Sequence, residues 1–279
     1  MNEPRALVLS GLGINCERET AAALHLAGAR SERVHVNGLE TDPTQIDGVD
    51  LIVFPGGFSF GDRLGAGQAL ATRFRHRRTS TGGTLLSALE RFVAKGGYLL
   101  GICNGFQILA KLGLLPNTDG EGRQEVALAE NMSGRFEDRW CRLATATRGP
   151  AAALGGLGPI ELPVRHGEGR LVFRDDAVRR AVGDRSLNWL TYVDGNGAPT
   201  SEYPANPNGA DLACAGLTDP SGHVFGLMPH PEACVSAYTH YNWPRRRREG
   251  SQSTDEGDGL RLLRTLVRLV SGTSSVPME

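Results

Sequence analysis

Residues 98–112 read YLLGICNGFQILAKL, an apolar run that ends at a glycine-bounded cysteine and continues into a helical pattern. The run Tyr98–Ile102 lacks polar alternation, which is typical of a strand buried on both faces. Residues 106–112 predict the helix that follows it. A short buried strand leading directly into a helix is one unit of a parallel α/β sheet.

The residues before this stretch show the same alternation of strand and helix. Residues 6–9 and 49–54 predict two further buried strands, and residues 84–94 predict a helix with one apolar face. This alternation favours a mostly parallel open sheet with helices on both faces. The first half of the chain is therefore predicted to belong to the α/β class.

The sequence after Gly113 has a different pattern. Short strand-like runs separated by Gly-, Pro- and Asn-rich turns occur at residues 140–146, 160–164, 189–193, 212–217 and 224–228. They predict a β-rich, loop-rich second half. Asp258–Val270 is predicted to be an amphipathic helix. We expect a single domain over residues 1–279, with mobile segments at 73–83 and 244–257.

Composition excludes several classes of protein. The 279 residues include 30 basic and 31 acidic side chains, so no global field attracts nucleic acid or acidic membranes. No apolar run approaches the roughly 20 residues of a membrane span, and the N-terminus lacks the features of a signal peptide. The five scattered cysteines do not form a disulfide framework. We expect a cytoplasmic protein that binds neither nucleic acid nor membrane.

The glycine-bounded cysteine has the form of a nucleophile elbow. In the segment GICNG, Cys103 lies between a strand and a helix, where a sharp turn exposes the side chain and only small neighbours fit. The helix N-terminus favours the thiolate, and the N–H of Asn104 would point to an oxyanion. The alternative interpretation is a buried cysteine in an ordinary strand–helix turn.

A thiol nucleophile requires a base, and the base requires a group that orients it. Two His-x-Glu pairs follow strand-like runs, His166 with Glu168 and His230 with Glu232. The second pair is slightly favoured because Pro231 fixes one backbone angle between base and orienter. Glycines around the first pair favour a flexible contact loop. The spacing alone leaves both pairs open.

Residues 54–62, FPGGFSFGD, follow another predicted strand at the edge where open α/β sheets bind ligands. Gly56 and Gly57 allow backbone N–H groups to turn inward and supply a second oxyanion donor, although an ordinary glycine-rich turn would look the same. No glycine motif for phosphate binding follows a strand, and no cysteine or histidine pair has metal-ligand spacing. We therefore expect neither a nucleotide site nor a metal site in this chain.

Together these motifs resemble the class I glutamine amidotransferases. The shared pattern is PGG after a strand, G-x-C-x-G-x-Q at residues 101–107 and a late H-P-E. Longer blocks are similar to the PurQ-type glutaminase component of phosphoribosylformylglycinamidine synthase: GLGINCERET, FPGGFSFGDRLGAG, GICNGFQILAKLGLLP, RHGEGR, YPANPNGA and GLMPHPEA. These blocks span most of the chain.

The resemblance implies a role for each matching residue. Cys103 would attack the side-chain carbonyl of L-glutamine, His230 would act as base and then acid, and Glu232 would orient it. The loop of His166 and Glu168 would contact the site or a partner. The implied substrate-binding residues are Gly57 and Asn104, which would line the oxyanion hole, and Gln107.

The resemblance also implies partners. The ammonia would pass to a PurL-type synthetase subunit, which converts formylglycinamide ribonucleotide to formylglycinamidine ribonucleotide in de novo purine biosynthesis. ATP and Mg²⁺ would be used by that subunit, and this chain would carry no cofactor. Whether a small PurS-type protein joins the assembly is left open.

Two other interpretations are compatible with the same scaffold. A protease- or chaperone-like member commonly has its base directly after the nucleophile, but Asn104 occupies that position here. A non-catalytic interaction subunit would be expected to have a broken triad. Cys103, His230 and Glu232 are all present, which favours the glutaminase.

Overall fold

The computed structural model describes residues 3–250 and 254–272. Their strands are β1 (Arg5–Ser10), β2 (Arg30–His35), β3 (Leu51–Phe54), β4 (Tyr98–Ile102), β5 (Val126–Glu130), β6 (Glu137–Thr145), β7 (Ile160–His166), β8 (Glu168–Phe173), β9 (Asn188–Tyr192), β10 (Cys214–Thr218) and β11 (Val224–Leu227). Nine of these strands form one sheet in the order β2-β1-β3-β4-β11-β10-β9-β6-β7, and β5 pairs with β8.

The large sheet has a parallel core and an antiparallel extension. Strands β2, β1, β3, β4 and β11 are parallel neighbours, whereas β10, β9, β6 and β7 pair in antiparallel fashion. The α/β class predicted from the sequence is confirmed. The β-rich second half extends the parallel sheet and supplies β11 to its core.

The helices cover both faces of this sheet. They are α1 (Glu17–Leu26), α2 (Val36–Thr41), α3 (Gln68–His76), α4 (Leu85–Ala94), α5 (Asn104–Lys111), α6 (Asp176–Asp184), α7 (Trp243–Arg248) and α8 (Asp258–Val270). Helix α1 connects β1 to β2, whereas α3 and α4 connect β3 to β4, and β2 and β4 lie on opposite sides of the β1–β3 pair. Because such crossovers are right-handed, α1 lies on one face of the sheet and α3 and α4 lie on the other. Helix α8 packs with α1, and α5 packs with α3. None of the helices in the described ranges combines the length and apolar character of a membrane-crossing helix.

The parallel strands form the centre of the core. Every residue of β3 and of β11 is buried, as expected for strands covered on both faces. Helix α4 begins at a capping box in which Thr84 and Ser87 each accept from the other's backbone N–H. The parallel register pairs Phe54 with Gly101 and Leu227 with Ile102, so the carboxyl ends of β3, β4 and β11 lie side by side.

The two segments predicted to be mobile have defined backbone contacts. Residues 73–76 end α3, and the N–H of Thr79 donates to the carbonyl of Gly83 at 2.8 Å. In the second segment α7 covers Trp243–Arg248, while residues 251–253 lie outside the described residues. Their mobility stays a prediction.

Close contact between α5 and β3 requires a glycine at position 105. A Cβ on Gly105 would lie 1.9 Å from the carbonyl oxygen of Phe54. We expect Gly105→Ala to destabilise the protein by about 3 kcal/mol, because the helix must move off the sheet. Urea unfolding would measure this. Gly183→Ala in α6 is the matched control, since its Cβ would meet nothing within 4 Å, and equal unfolding midpoints for the two variants would disprove the packing argument.

Candidate active site

Cys103 occupies a strained turn between β4 and α5. Its backbone has φ 50° and ψ −105°, a conformation that non-glycine residues rarely adopt. Its N–H donates to the carbonyl of Leu227 at 2.7 Å, which ties the turn to β11. A Cβ on Gly101 would lie 2.7 Å from the backbone of Gly105, so the flanking glycines allow the turn to close. The chain thus forms the sharp strand–helix turn that the sequence predicts at this position.

His230 and Glu232 follow β11, the strand beside β4. His230 Nδ1 lies 2.6 Å from Glu232 Oε1, and both side chains are buried. Burial alone would lower the pKa of His230, but the Glu232 carboxylate and Cys103 together raise it well above the ordinary value. Of the two His-x-Glu pairs in the sequence, this one forms a hydrogen-bonded pair next to Cys103.

His166 has a different environment. Its Nδ1 lies 3.0 Å from Asn131 Oδ1, and the Asn131 amide nitrogen donates to two backbone carbonyls, so the proton is on His166 Nδ1. Burial, followed by the neighbouring His230, lowers the pKa of His166 to about 4. Its Nε2 is therefore an unprotonated, buried acceptor without a protein partner in the described structure. Glu168 instead accepts from the N–H of Ala66 at 3.2 Å.

Gly57 and Asn104 supply two N–H groups near the elbow. Gly57 has φ +150°, and a Cβ there would lie 2.5 Å from the carbonyl oxygen of Gly13. Across the described ranges, neither N–H is hydrogen-bonded to a protein acceptor. The Asn104 N–H also belongs to the first turn of α5, where the helix dipole favours negative charge. Asn104 Oδ1 accepts from the N–H of Ser59 at 3.2 Å, which fixes the two loops together.

Gln107 lies one helical turn beyond Cys103 on the same cavity wall. Its Nε2 donates to the carbonyl of Glu168 at 2.6 Å, and its Oε1 accepts from Asn104 Nδ2 at 3.0 Å. The buried amide therefore connects the nucleophile helix to the loop of residues 166–170.

A cavity of about 130 Å³ opens at Cys103. Its polar lining consists of Cys103, Gln107, Asp62, Arg165, His166 and Glu168. Burial raises the pKa of Asp62, and the nearby Glu168 raises it further. Sequence reasoning did not single out Asp62 or Arg165. Asp62 ends the motif FPGGFSFGD and Arg165 begins the motif RHGEGR, so their places in these motifs were the signal that could have identified them.

Two comparisons define the class of protein. A family model described as a CobB/CobQ-like glutamine amidotransferase domain matches residues 3–269. In the structure of PurLQS from Thermotoga maritima, one chain superposes with a TM-score of 0.68 and 29% identity, covering 96% of this chain and 100% of that one.

Curated relatives narrow the class to one subunit. The PurQ subunit of phosphoribosylformylglycinamidine synthase from Dehalococcoides mccartyi is 40% identical over 269 residues, 96% of this chain and 98% of that protein. The PurQ subunit from Picrophilus torridus is 38% identical over 258 residues, covering 92% and 96% of the two chains. The chain belongs to the PurQ family of glutamine amidotransferase subunits of phosphoribosylformylglycinamidine synthase.

Proposed function

We propose that this chain hydrolyses L-glutamine to glutamate and ammonia through Cys103, His230 and Glu232. The observation that supports this most directly is the buried His230–Glu232 pair beside a cysteine held in a strained strand–helix turn. A nucleophile, a base and its orienter within one cluster are the requirements for acyl transfer through a thioester.

The first half of the reaction forms the thioester. His230 accepts the thiol proton, and Cys103 Sγ attacks the side-chain carbonyl carbon of glutamine. The negative charge that develops on the carbonyl oxygen is stabilised by the N–H groups of Gly57 and Asn104. His230 then protonates the leaving nitrogen, which departs as ammonia.

The second half regenerates the enzyme. His230 removes a proton from water, which attacks the thioester carbonyl carbon, and the same two N–H groups stabilise the second oxyanion. Collapse breaks the carbon–sulfur bond and releases glutamate. The Glu232 carboxylate holds His230 Nδ1–H throughout, so Nε2 faces the reacting atoms.

The charged groups of the cavity match a zwitterionic amino acid. The carboxylates of Asp62 and Glu168 offer a site for the α-ammonium group of glutamine, and Arg165 offers one for its α-carboxylate. Gln107 contributes by holding the Glu168 backbone in place. Unprotonated His166 Nε2 adds an acceptor for a substrate N–H.

We further propose that the ammonia passes to a PurL-type synthetase subunit, with a PurS-type protein in the same assembly. The support is the likeness to a chain of PurLQS. The synthetase would use ATP and Mg²⁺ to convert formylglycinamide ribonucleotide to formylglycinamidine ribonucleotide. Shielding ammonia from water requires contact between the subunits during turnover, because protonated ammonia is not nucleophilic.

Dependence on the partner tests this assignment. Glutamate release by the isolated chain is expected to be low and to rise roughly tenfold or more when the PurL-type synthetase, PurS-type protein, ATP and substrate are added. Initial rates of glutamate formation would measure it. Equal turnover with and without the synthetase would contradict the proposed ammonia transfer.

Two broader expectations accompany the proposal. The match over residues 3–269 supports treating residues 1–279 as one domain. A cytoplasmic location is supported by the five cysteines, all of which are free thiols.

A further inference from the structure

Cys16 lies beside the proposed triad, far from it in the sequence. One ligand atom each of Cys16, His230 and Glu232 lies within 4.8 Å of the ligand atoms of the other two. The N–H of Cys16 donates to the carbonyl of Gly56 at 3.2 Å, which holds the start of α1 against the loop after β3. A Cβ on Gly56 would lie 2.7 Å from His230 Cε1 and 3.3 Å from Cys16 Sγ, so both side chains pack on that glycine.

Two of these side chains have a buried acceptor atom that no protein donor in the described structure meets. His230 Nε2 and Glu232 Oε2 are buried without a hydrogen-bond partner in the described structure, and the whole side chains are at least nine-tenths buried. A buried polar atom without a partner carries a free-energy cost that a ligand would remove. Cys16 is half-buried, which leaves the cluster accessible to a small ion from its side.

We propose that Cys16, His230 and Glu232 form a binding site for Zn²⁺, and that the bound ion inhibits the protein reversibly by occupying His230. Sulfur, imidazole nitrogen and carboxylate oxygen together are the donors that Zn²⁺ takes, whereas Mg²⁺ and Ca²⁺ require oxygen ligands. Donors bound to one tetrahedral Zn²⁺ lie about 3–4 Å apart, so small side-chain movements bring the three onto one ion. Cys16 releases its thiol proton to solvent when the Zn–S bond forms.

The ion would interfere with the base directly. Coordination of His230 engages a nitrogen lone pair that proton transfer requires, and coordination of Glu232 competes with the hydrogen bond to Nδ1. Cys16 forms no bond to substrate in the acyl-transfer steps, and a serine hydroxyl can keep its contact with His230, so Cys16 adds affinity for the metal without being needed for turnover. The site goes beyond the proposed function, and its inhibitory effect rests on that function.

The sequence predicts no metal site because no cysteine and histidine lie at ligand spacing. The fold brings Cys16 from the start of α1 to His230 after β11. The thiols of Cys141, Cys214 and Cys234 are buried, which raises their pKa, to about 12 for Cys141. Those three thiols are poor metal ligands. The experiment must therefore distinguish metal binding by Cys16 from metal binding by Cys103.

Metal binding can be measured without activity. Reduced, chelator-treated protein is titrated with Co²⁺ as a probe for Zn²⁺, with thiolate-to-cobalt absorption as the readout and Zn²⁺ displacement as confirmation. We expect one equivalent to bind to the wild type and to Cys103→Ser, and the thiolate band to vanish in Cys16→Ser with at least about tenfold weaker binding. An unchanged band in Cys16→Ser, or no binding to the wild type, would overturn the proposal.

Inhibition is measured on the assembled enzyme. Zn²⁺ is expected to lower wild-type glutamate release, whereas Cys16→Ser retains its metal-free rate within roughly twofold and requires at least about tenfold more Zn²⁺ for the same loss. Cys214→Ser, which removes a thiol elsewhere, should remain as sensitive as the wild type. Equal sensitivity of Cys16→Ser and wild type would disprove the inhibitory role. A complete absence of glutaminase activity would refute the proposed function, while the Co²⁺ titration still decides the site.

Discussion

Replacing Cys103 with serine is expected to lower partner-stimulated glutamate release by about 10³-fold or more, with the fold retained. A serine hydroxyl loses its proton far less readily than a thiol, so the base that activates a thiol leaves the hydroxyl almost unreactive. Among the described residues that line the cavity, Cys103 carries the one thiol, so no second nucleophile of this kind can replace it there. Initial rates with the PurL-type synthetase present would measure the loss.

Cys214→Ser is the matched control for this substitution. The Cys214 thiol donates to the carbonyl of Gly216 at 3.4 Å, and a hydroxyl can make the same bond, so near wild-type rates are expected. An electrophilic glutamine analogue should label the wild type and this control but not Cys103→Ser. Activity of Cys103→Ser within tenfold of wild type would refute the nucleophile assignment. Failure to label the wild type would favour a non-catalytic interaction subunit.

The elements predicted best have strong local signals. Strand β4 and helix α8 have the bounds that the sequence predicted, Tyr98–Ile102 and Asp258–Val270. The strand is a continuous apolar run ended by the elbow, and the helix has a wide apolar face on one side and arginines on another. In both, local propensity and burial favour the same structure.

Elements that depend on distant partners were missed. Strand β5 pairs with β8, about 40 residues later in the chain, and its sequence VALAE does not alternate between apolar and polar residues. Helix α3 was not predicted from the sequence, and its last residues, 73–76, are rich in arginine. There Arg73 pairs with the buried carboxylate of Glu40. Such contacts are created by the fold and leave little trace in a local pattern.

The residues of the candidate site also fall into those that a local motif predicts and those that only the fold brings in. Cys103 and the His230–Glu232 pair are candidates from the sequence because elbow and H-P-E motifs encode local geometry. Asp62 and Cys16 reach the site only because the loops after β1 and β3 meet at one edge of the sheet. Strand order determines which loops meet, and a single sequence does not encode strand order locally.

The buried carboxylate of Glu232 controls both the tautomer and the charge of His230. With Nδ1–H held at 2.6 Å by the carboxylate, Nε2 is the nitrogen left for proton transfer. The same carboxylate opposes the effect of burial, which by itself would lower the pKa of His230. An uncharged amide of the same shape would preserve packing but lose both effects.

Glu232→Gln is therefore expected to reduce kcat/KM for glutamine by about 10²–10⁴-fold, in the range seen when the orienter of such a triad loses its charge. The pKa of His230 should fall, because the negative charge that raises it is removed, so the limb of the pH–rate profile that reports His230 should move to lower pH. Glu161→Gln is the matched control, since Glu161 Oε2 lies 2.8 Å from the buried His240 in a similar pair outside the cavity, and it should leave the rate nearly unchanged. A Glu232→Gln profile that coincides with the wild type would show that Glu232 supports the fold and not the base.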